Sequence, residues 1–160
     1  RLNEVCQLRA EDMEVREGIP CFDFNDDDGK TLKNIASRRV VPIHSRLLEL
    51  GLLDFIEQRK QAEAPRLFPS LTYSKQNGWG RNVGRWFNES LLPNIGMKDK
   101  GLVFHSFRHS MVTTLGHCDV QESVIKAIVG HTRTGVTQSV YNPDGYKPEQ
   151  LKRELDKFSF

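Results

Sequence analysis

Apolar residues recur along this chain in two rhythms, one of three to four residues and one of two, and these rhythms divide it into segments. Leu2, Val5 and Leu8 stand at near-helical spacing, so residues 1–9 read as the end of a helix. Across Ile19–Phe24 the pattern alternates towards Phe22 and Phe24, as a half-buried strand does. Asn25 to Gly29 is a turn by composition. A second β segment is expected near Lys33 and a third at residues 39–43, giving a small antiparallel sheet with a basic hairpin whose loop lies near Asn34–Ser37. Ser45 is suited to cap a helix running to about Gln61, with Leu47, Leu48, Leu50, Leu52, Leu53, Phe55 and Ile56 as its apolar face. Residues 62–79 hold Pro65, Pro69 and Gly78 and read as a loop. A helix is expected near 79–91, with Val83, Trp86, Phe87 and Leu91 on one side and Pro93 and Gly96 to break it. Three more helices are expected at 105–117, 121–130 and 147–157, the second capped by Asp119 and the third opened by Lys147-Pro148. Trp79, Trp86 and Phe87 are assigned to the core.

Composition narrows the class. The 160 residues are enough for one domain with a real core, and 38% hydrophobic with 28% charged residues is an ordinary balance for a globular chain. No apolar run approaches the roughly 20 residues a bilayer demands, so no membrane association is expected. Cys6, Cys21 and Cys118 are odd in number and widely spaced, which argues against a disulfide framework or a zinc knuckle and for idle thiols in a reducing compartment. The chain opens on Arg1 inside a helix-like stretch, and a fragment of a longer protein is expected. A net charge of +2 is too mild to name a nucleic-acid partner, so the placement of the basic residues has to carry that argument.

The C-terminal third holds the chemistry. His105 and Arg108 lie three apart and share a helix face. His131 follows Arg108 by 23 residues, and Tyr141 follows His131 by 10. The apolar run Val124, Ile125, Ala127, Ile128 and Val129 ends at Gly130, a natural helix stop, which puts His131 at a helix end leading towards Tyr141.

His105-Ser106-Phe107-Arg108-His109, then Val129-Gly130-His131, then Tyr141 resemble the H-x-x-R, L-G-H and tyrosine motifs of the tyrosine recombinase, or phage integrase, family. Arg1-Leu2-Asn3-Glu4-Val5 is similar to the R-x-x-E-L segment that carries that family's first active-site arginine. The run from Lys33 to Ile43 resembles the β-hairpin that carries its lysine, with Lys33 preferred and Lys30 the competitor. Any one motif is weak, but five in order over nearly the whole chain form a strong likeness. Val129 stands where leucine is usual, and the last spacing is often one residue shorter.

The resemblance implies an α+β, mainly α-helical catalytic domain with a small three-stranded antiparallel sheet at one edge, spanning 1–160. An N-terminal core-binding domain and the start of the catalytic domain would lie outside this chain. It implies site-specific recombination through a 3′-phosphotyrosyl intermediate on Tyr141, for integration or excision of a mobile element. Arg1 and Arg108 would hold the phosphate, since a guanidinium donates two parallel hydrogen bonds and stays charged. His105 would accept or share the phenol proton, His131 would bond a non-bridging oxygen, and Lys33 would protonate the departing 5′ oxygen. The cations do the work of a metal, so no metal, cofactor or ATP is expected. The partner is double-stranded DNA, held by a homotetramer with accessory DNA-bending proteins possible, in the nucleoid region of a bacterial or phage-bearing cytoplasm.

Arg38, Arg39, Lys75, Arg81 and Arg85, with Lys98 and Lys100, are candidates for a DNA path along phosphates. Rival readings stand beside these. His105 and His109 have a zinc-compatible spacing but no third ligand. Tyr146 is the rival nucleophile, and His44 and His117 are read as structural. A type IB topoisomerase, a catalytically inactive DNA-binding module and a metal-dependent nuclease are the alternative functions. The segment Leu151 to Phe160 either docks on a neighbouring subunit and gates Tyr141 or packs on its own domain.

Overall fold

A two-residue turn sets the sheet. Glu17 and Gly18 both take positive φ, 49° and 78°, which joins strands β1 (Met13–Arg16) and β2 (Ile19–Phe24) with the twist a tight antiparallel hairpin prefers. Strand β3 (Arg39–Pro42) pairs antiparallel on the other side of β2, so the order is β1-β2-β3. The computed structural model describes residues 1–34, 37–131 and 145–159.

The number of strands agrees with expectation, and β2 and β3 lie where they were expected, but the remaining strand does not. Among the described residues no strand forms near Lys33; the first strand is Met13–Arg16. That strand is short and its Val15 is largely exposed, so it carries little alternation to read. The connection from β2 to β3 is held by polar bonds in place of a ladder. Gln7 Nε2 donates to the Thr31 carbonyl at 2.9 Å, Lys30 pairs with buried Asp12, and the Ser37 N–H donates to the Asn34 carbonyl at 2.9 Å.

Helix α1 is Leu2–Cys6. The long helix expected after Ser45 is two, α2 (Ser45–Glu49) and α3 (Leu52–Gln61), because Gly51 takes φ +82° between them. The cap of α2 is His44, whose ring nitrogen accepts from the Arg46 N–H at 3.0 Å; Ser45 instead bonds Asp156. Helix α4 (Arg81–Trp86) runs through a π-helical turn, Phe87–Leu91, into α5 (Leu92–Asn94). Pro93 therefore sits inside the helical run. The widened π turn relieves the proline ring of its clash with the preceding turn and needs no N–H from it. Trp86 is exposed at 53%, contrary to its core assignment, whereas Phe87 is buried and meets the rings of Phe104 and Phe107.

Helices α6 (Ser106–His117) and α7 (Glu122–Val129) match their expected spans closely. Asp119 takes φ 55° in the connection, and the N-cap position of α7 falls on Gln121, whose side chain makes no capping bond. Helix α8 (Pro148–Leu155) opens on its proline.

Two apolar clusters flank the sheet. Leu8, Ala10, Ile56 and Leu67 gather Met13, Phe22 and Phe24 against α3. Leu115, Val120, Val124, Ile125, Ile128, Val129, Leu151 and Leu155 join α6, α7 and α8, with Val41 of β3 packed on them. Leu151 and Leu155, four apart, are thus sealed into the core of their own domain. The His44 ring sits 2.9 Å from the Phe158 carbonyl and Ser45 Oγ donates to Asp156 at 2.7 Å, so residues 148–158 pack on their own domain, the second of the two readings of this segment.

Candidate active site

Helix α1 presents Arg1, and the first turn of α6 presents Arg108, with His105 at its N-cap. His131 follows α7 directly. Gly130 takes φ +69°, and the His131 N–H turns back to the Lys126 carbonyl at 3.0 Å, closing the helix end as a left-handed cap does.

Arg1 and Arg39, the first residue of β3, meet at one carboxylate. Glu4 is 2% exposed; its Oε1 accepts from Arg1 Nη1 at 2.5 Å and its Oε2 from Arg39 Nη2 at 2.9 Å. Arg1 also donates to Ser37 Oγ at 2.5 Å and to the Gly130 carbonyl at 3.1 Å. Burial would raise the Glu4 carboxyl, but Arg39, the amino group of Arg1 and the hydrogen bonds from both guanidiniums outweigh it and hold the group at about 2.

Arg108 lies in the field of Arg1 and Arg39, with Glu4 opposing them. Its Nη2 is buried and has no hydrogen-bond partner among the described residues. A buried donor left unpaired costs on the order of 1–3 kcal/mol, more for a charged group, so it marks a place where an acceptor belongs. His105 and His131 are exposed at the rim. Partial burial lowers the pKa of each, and nearby charge lowers it further: His109, Arg108 and Arg1 act on His105, and Arg108, Arg1, Lys126 and His105 act on His131. Both imidazoles are therefore biased towards the neutral form, which can accept a proton or a hydrogen bond. The charges of Arg1 and Arg108 thus reach both His105 and His131.

Residues 1–147 match the phage integrase family. The chain belongs to that family. No curated protein and no solved structure matches it. Membership in this family of tyrosine recombinases ties the chain to DNA binding and to site-specific recombination.

Within the chain, the two candidate lysines part company. Lys30 is 9% exposed and its ammonium pairs with Asp12, which also accepts from Asn25 at 3.3 Å, so Lys30 is a scaffold group. Lys33 is exposed and close in sequence to the Asn34–Ser37 turn whose Ser37 touches Arg1; no ion pair among the described residues holds it. Tyr141 lies outside the described residues. Its rival Tyr146 is half-buried, with its hydroxyl donating to Ser123 Oγ at 2.7 Å. No group of three metal-ligating side chains occurs among the described residues, His105 and His109 included; those two rings meet edge to face at 5.1 Å. No described helix is long and apolar enough to cross a membrane.

The DNA-path candidates also divide. Lys75, Arg81 and Arg85 are exposed, and Arg38 is exposed while paired to Asp26 and Asp27. Arg39 is turned away from solvent. Its side chain is 11% exposed and turned inward onto Glu4, Ser37 and Ile128. Sequence reading missed this although a cue existed: Arg39, Val41 and Ile43 share one face by strand period, Val41 packs on the core and Ile43 is 2% exposed.

Proposed function

We propose that this chain supplies the catalytic centre of site-specific recombination, cutting DNA through a 3′-phosphotyrosyl bond on Tyr141, in a tetramer that integrates or excises a mobile element. The observation that carries this reading is the buried Nη2 of Arg108, unpaired among the described residues and in the field of Arg1, in a cluster whose carboxylate, Glu4, is already taken up by Arg1 and Arg39. The cluster is an anion site with its cations in excess.

A phosphodiester oxygen bonded to Arg108 would satisfy that donor, and Arg1 retains N–H groups beyond the three bonds it makes to the protein. Charge developing on the non-bridging oxygens in the transition state would be met by both guanidiniums and by His131. Neutral His105 can take up the phenol proton as Tyr141 Oη attacks phosphorus. The P–O bond to the 5′ oxygen breaks, and Lys33 delivers a proton to that oxygen. Attack by a 5′ hydroxyl from a partner strand reverses the step, conserving the bond and requiring no ATP.

A nicked suicide substrate tests this, because loss of the short 5′ fragment traps the covalent complex. The expected result is trapping that survives EDTA, mass-spectrometric attachment at Tyr141, and none with Tyr141→Phe. Attachment at Tyr146 or through a serine refutes the assignment. Relaxation of plasmids lacking any cognate site would favour the topoisomerase alternative.

A further inference from the structure

Arg1 and Arg39 grip the same three places. Arg1 holds Glu4 Oε1, Ser37 Oγ and the Gly130 carbonyl. Arg39 holds Glu4 Oε2 at 2.9 Å, the Ser37 carbonyl at 2.7 Å and the Ile128 carbonyl at 2.9 Å. Its guanidinium carbon also lies 4.6 Å from the centroid of the Phe24 ring, its cross-strand partner in the sheet. We infer that Arg39 is a positioning residue for strand cleavage: it fixes the end of α7, and with it His131, against the α1 helix that carries Arg1. The inference rests on the recombinase reading above and adds to it a residue that touches no DNA.

Two physical consequences support it. Arg39 brings the Glu4 carboxylate a second cation, so Arg1 is not neutralised by a private ion pair and keeps charge for a phosphate. Arg39 also explains why position 130 is glycine for more than its left-handed backbone. A Cβ there would stand 2.8 Å from Arg39 Nη1, 2.9 Å from Cζ and 3.0 Å from Nε. The far end of a free arginine would swing aside, but this one is fixed by three hydrogen bonds and a ring. The glycine before His131 thus leaves room for the guanidinium that anchors the helix end.

The test compares the intact protein with Arg39→Lys and Gly130→Asn on the nicked substrate at saturating protein. Lysine keeps the charge but cannot make three planar bonds. Asparagine tolerates the left-handed backbone yet brings the intruding Cβ, so it displaces Arg39 even if Arg39→Lys fails to fold. Each variant is expected to slow the single-turnover rate constant on the order of a hundredfold, the cost of a small misplacement at a reacting centre. Affinity for the same duplex, read by fluorescence anisotropy, should stay as in the unaltered protein. A merely structural defect would lower the amplitude of the trapped product by shrinking the folded fraction, and leave the rate constant alone; that result overturns the inference. So does an unchanged rate constant in both variants, or a loss of DNA affinity that matches the loss of rate, which would make Arg39 a DNA contact. Failure of the unaltered protein to be trapped would sink the recombinase reading itself, and is told apart by occurring without any substitution.

Discussion

Replacing Glu4 by glutamine removes a charge and almost no volume from the point where Arg1 and Arg39 meet. The carboxyl falls from an ordinary 4.5 to about 2 in the folded chain. At about 1.4 kcal/mol per unit, that depression corresponds to about 3 kcal/mol of stability at neutral pH. This is the upper end, because the amino group of Arg1 supplies part of the depression. The sign follows from linkage. A carboxyl with a lowered folded pKa stabilises fully above its unfolded value, and the contribution drains away as pH falls through the folded value. Urea unfolding of the unaltered chain and of Glu4→Gln should therefore differ by up to about 3 kcal/mol at pH 7. The gap should begin to close as pH falls below about 5 and nearly vanish as it approaches the folded pKa of about 2. Glutamine retains one oxygen for one arginine, and the other guanidinium is left in a buried place beside a like charge. A gap below about 1 kcal/mol at pH 7, or one that stays constant down to about pH 3, would refute the claim that this carboxylate holds the two arginines together.

Lys30→Met should cost on the order of 3 kcal/mol in chemical denaturation by stranding buried Asp12. Lys33→Ala should unfold like the unaltered chain yet lose cleavage of a normal 5′ oxygen, and a 5′-bridging phosphorothiolate, whose sulfur needs no proton to leave, should restore it. Leu115, fully buried between α6, α7 and α8, should cost about 2–5 kcal/mol when cut to alanine, read from the denaturation midpoint at constant slope. Arg81→Ala and Arg85→Ala should each weaken binding to all duplexes alike and lower the salt slope of affinity by about 1; an unchanged slope would place those exposed side chains off the DNA.

The helices of the C-terminal half were legible because their burial is periodic. Leu115, Val124, Ile125, Ile128, Leu151 and Leu155 are all core residues, and their spacing shows in the sequence. The sheet was legible in number and, for β2 and β3, in place, but β1 was not. Met13–Arg16 is held by register with β2 and by the Glu17-Gly18 turn, and only a weak alternation marks it. The break at Gly51 hid inside a continuous leucine-rich run, since hydrophobic period does not record a single left-handed residue. Motif order nominated Arg1, Arg108, His105 and His131, and the hairpin likeness preferred Lys33 without showing what holds Lys30. That distinction depends on Asp12, 18 residues away in the chain and in ionic contact with Lys30.

The same limit explains why Arg38 and Arg39 looked alike. Arg38 stands just before β3 and Arg39 opens it, and the two side chains lie in opposite environments. Arg38 faces solvent with two aspartates; Arg39 faces the seam where the core of α7 meets the core of α3. A cation at such a seam is tolerated only if its donors are met, and here they are met by a carboxylate from α1, a carbonyl from the turn at Ser37 and a carbonyl at the end of α7. Those acceptors come from three segments distant in sequence, and each carries or adjoins a residue of the centre. The cost of burying the Arg39 charge is therefore offset by bonds that also fix where Arg1 and His131 stand. An active-site family motif records which residues must meet a phosphate; the residues that make them meet are found by asking what satisfies each buried charge.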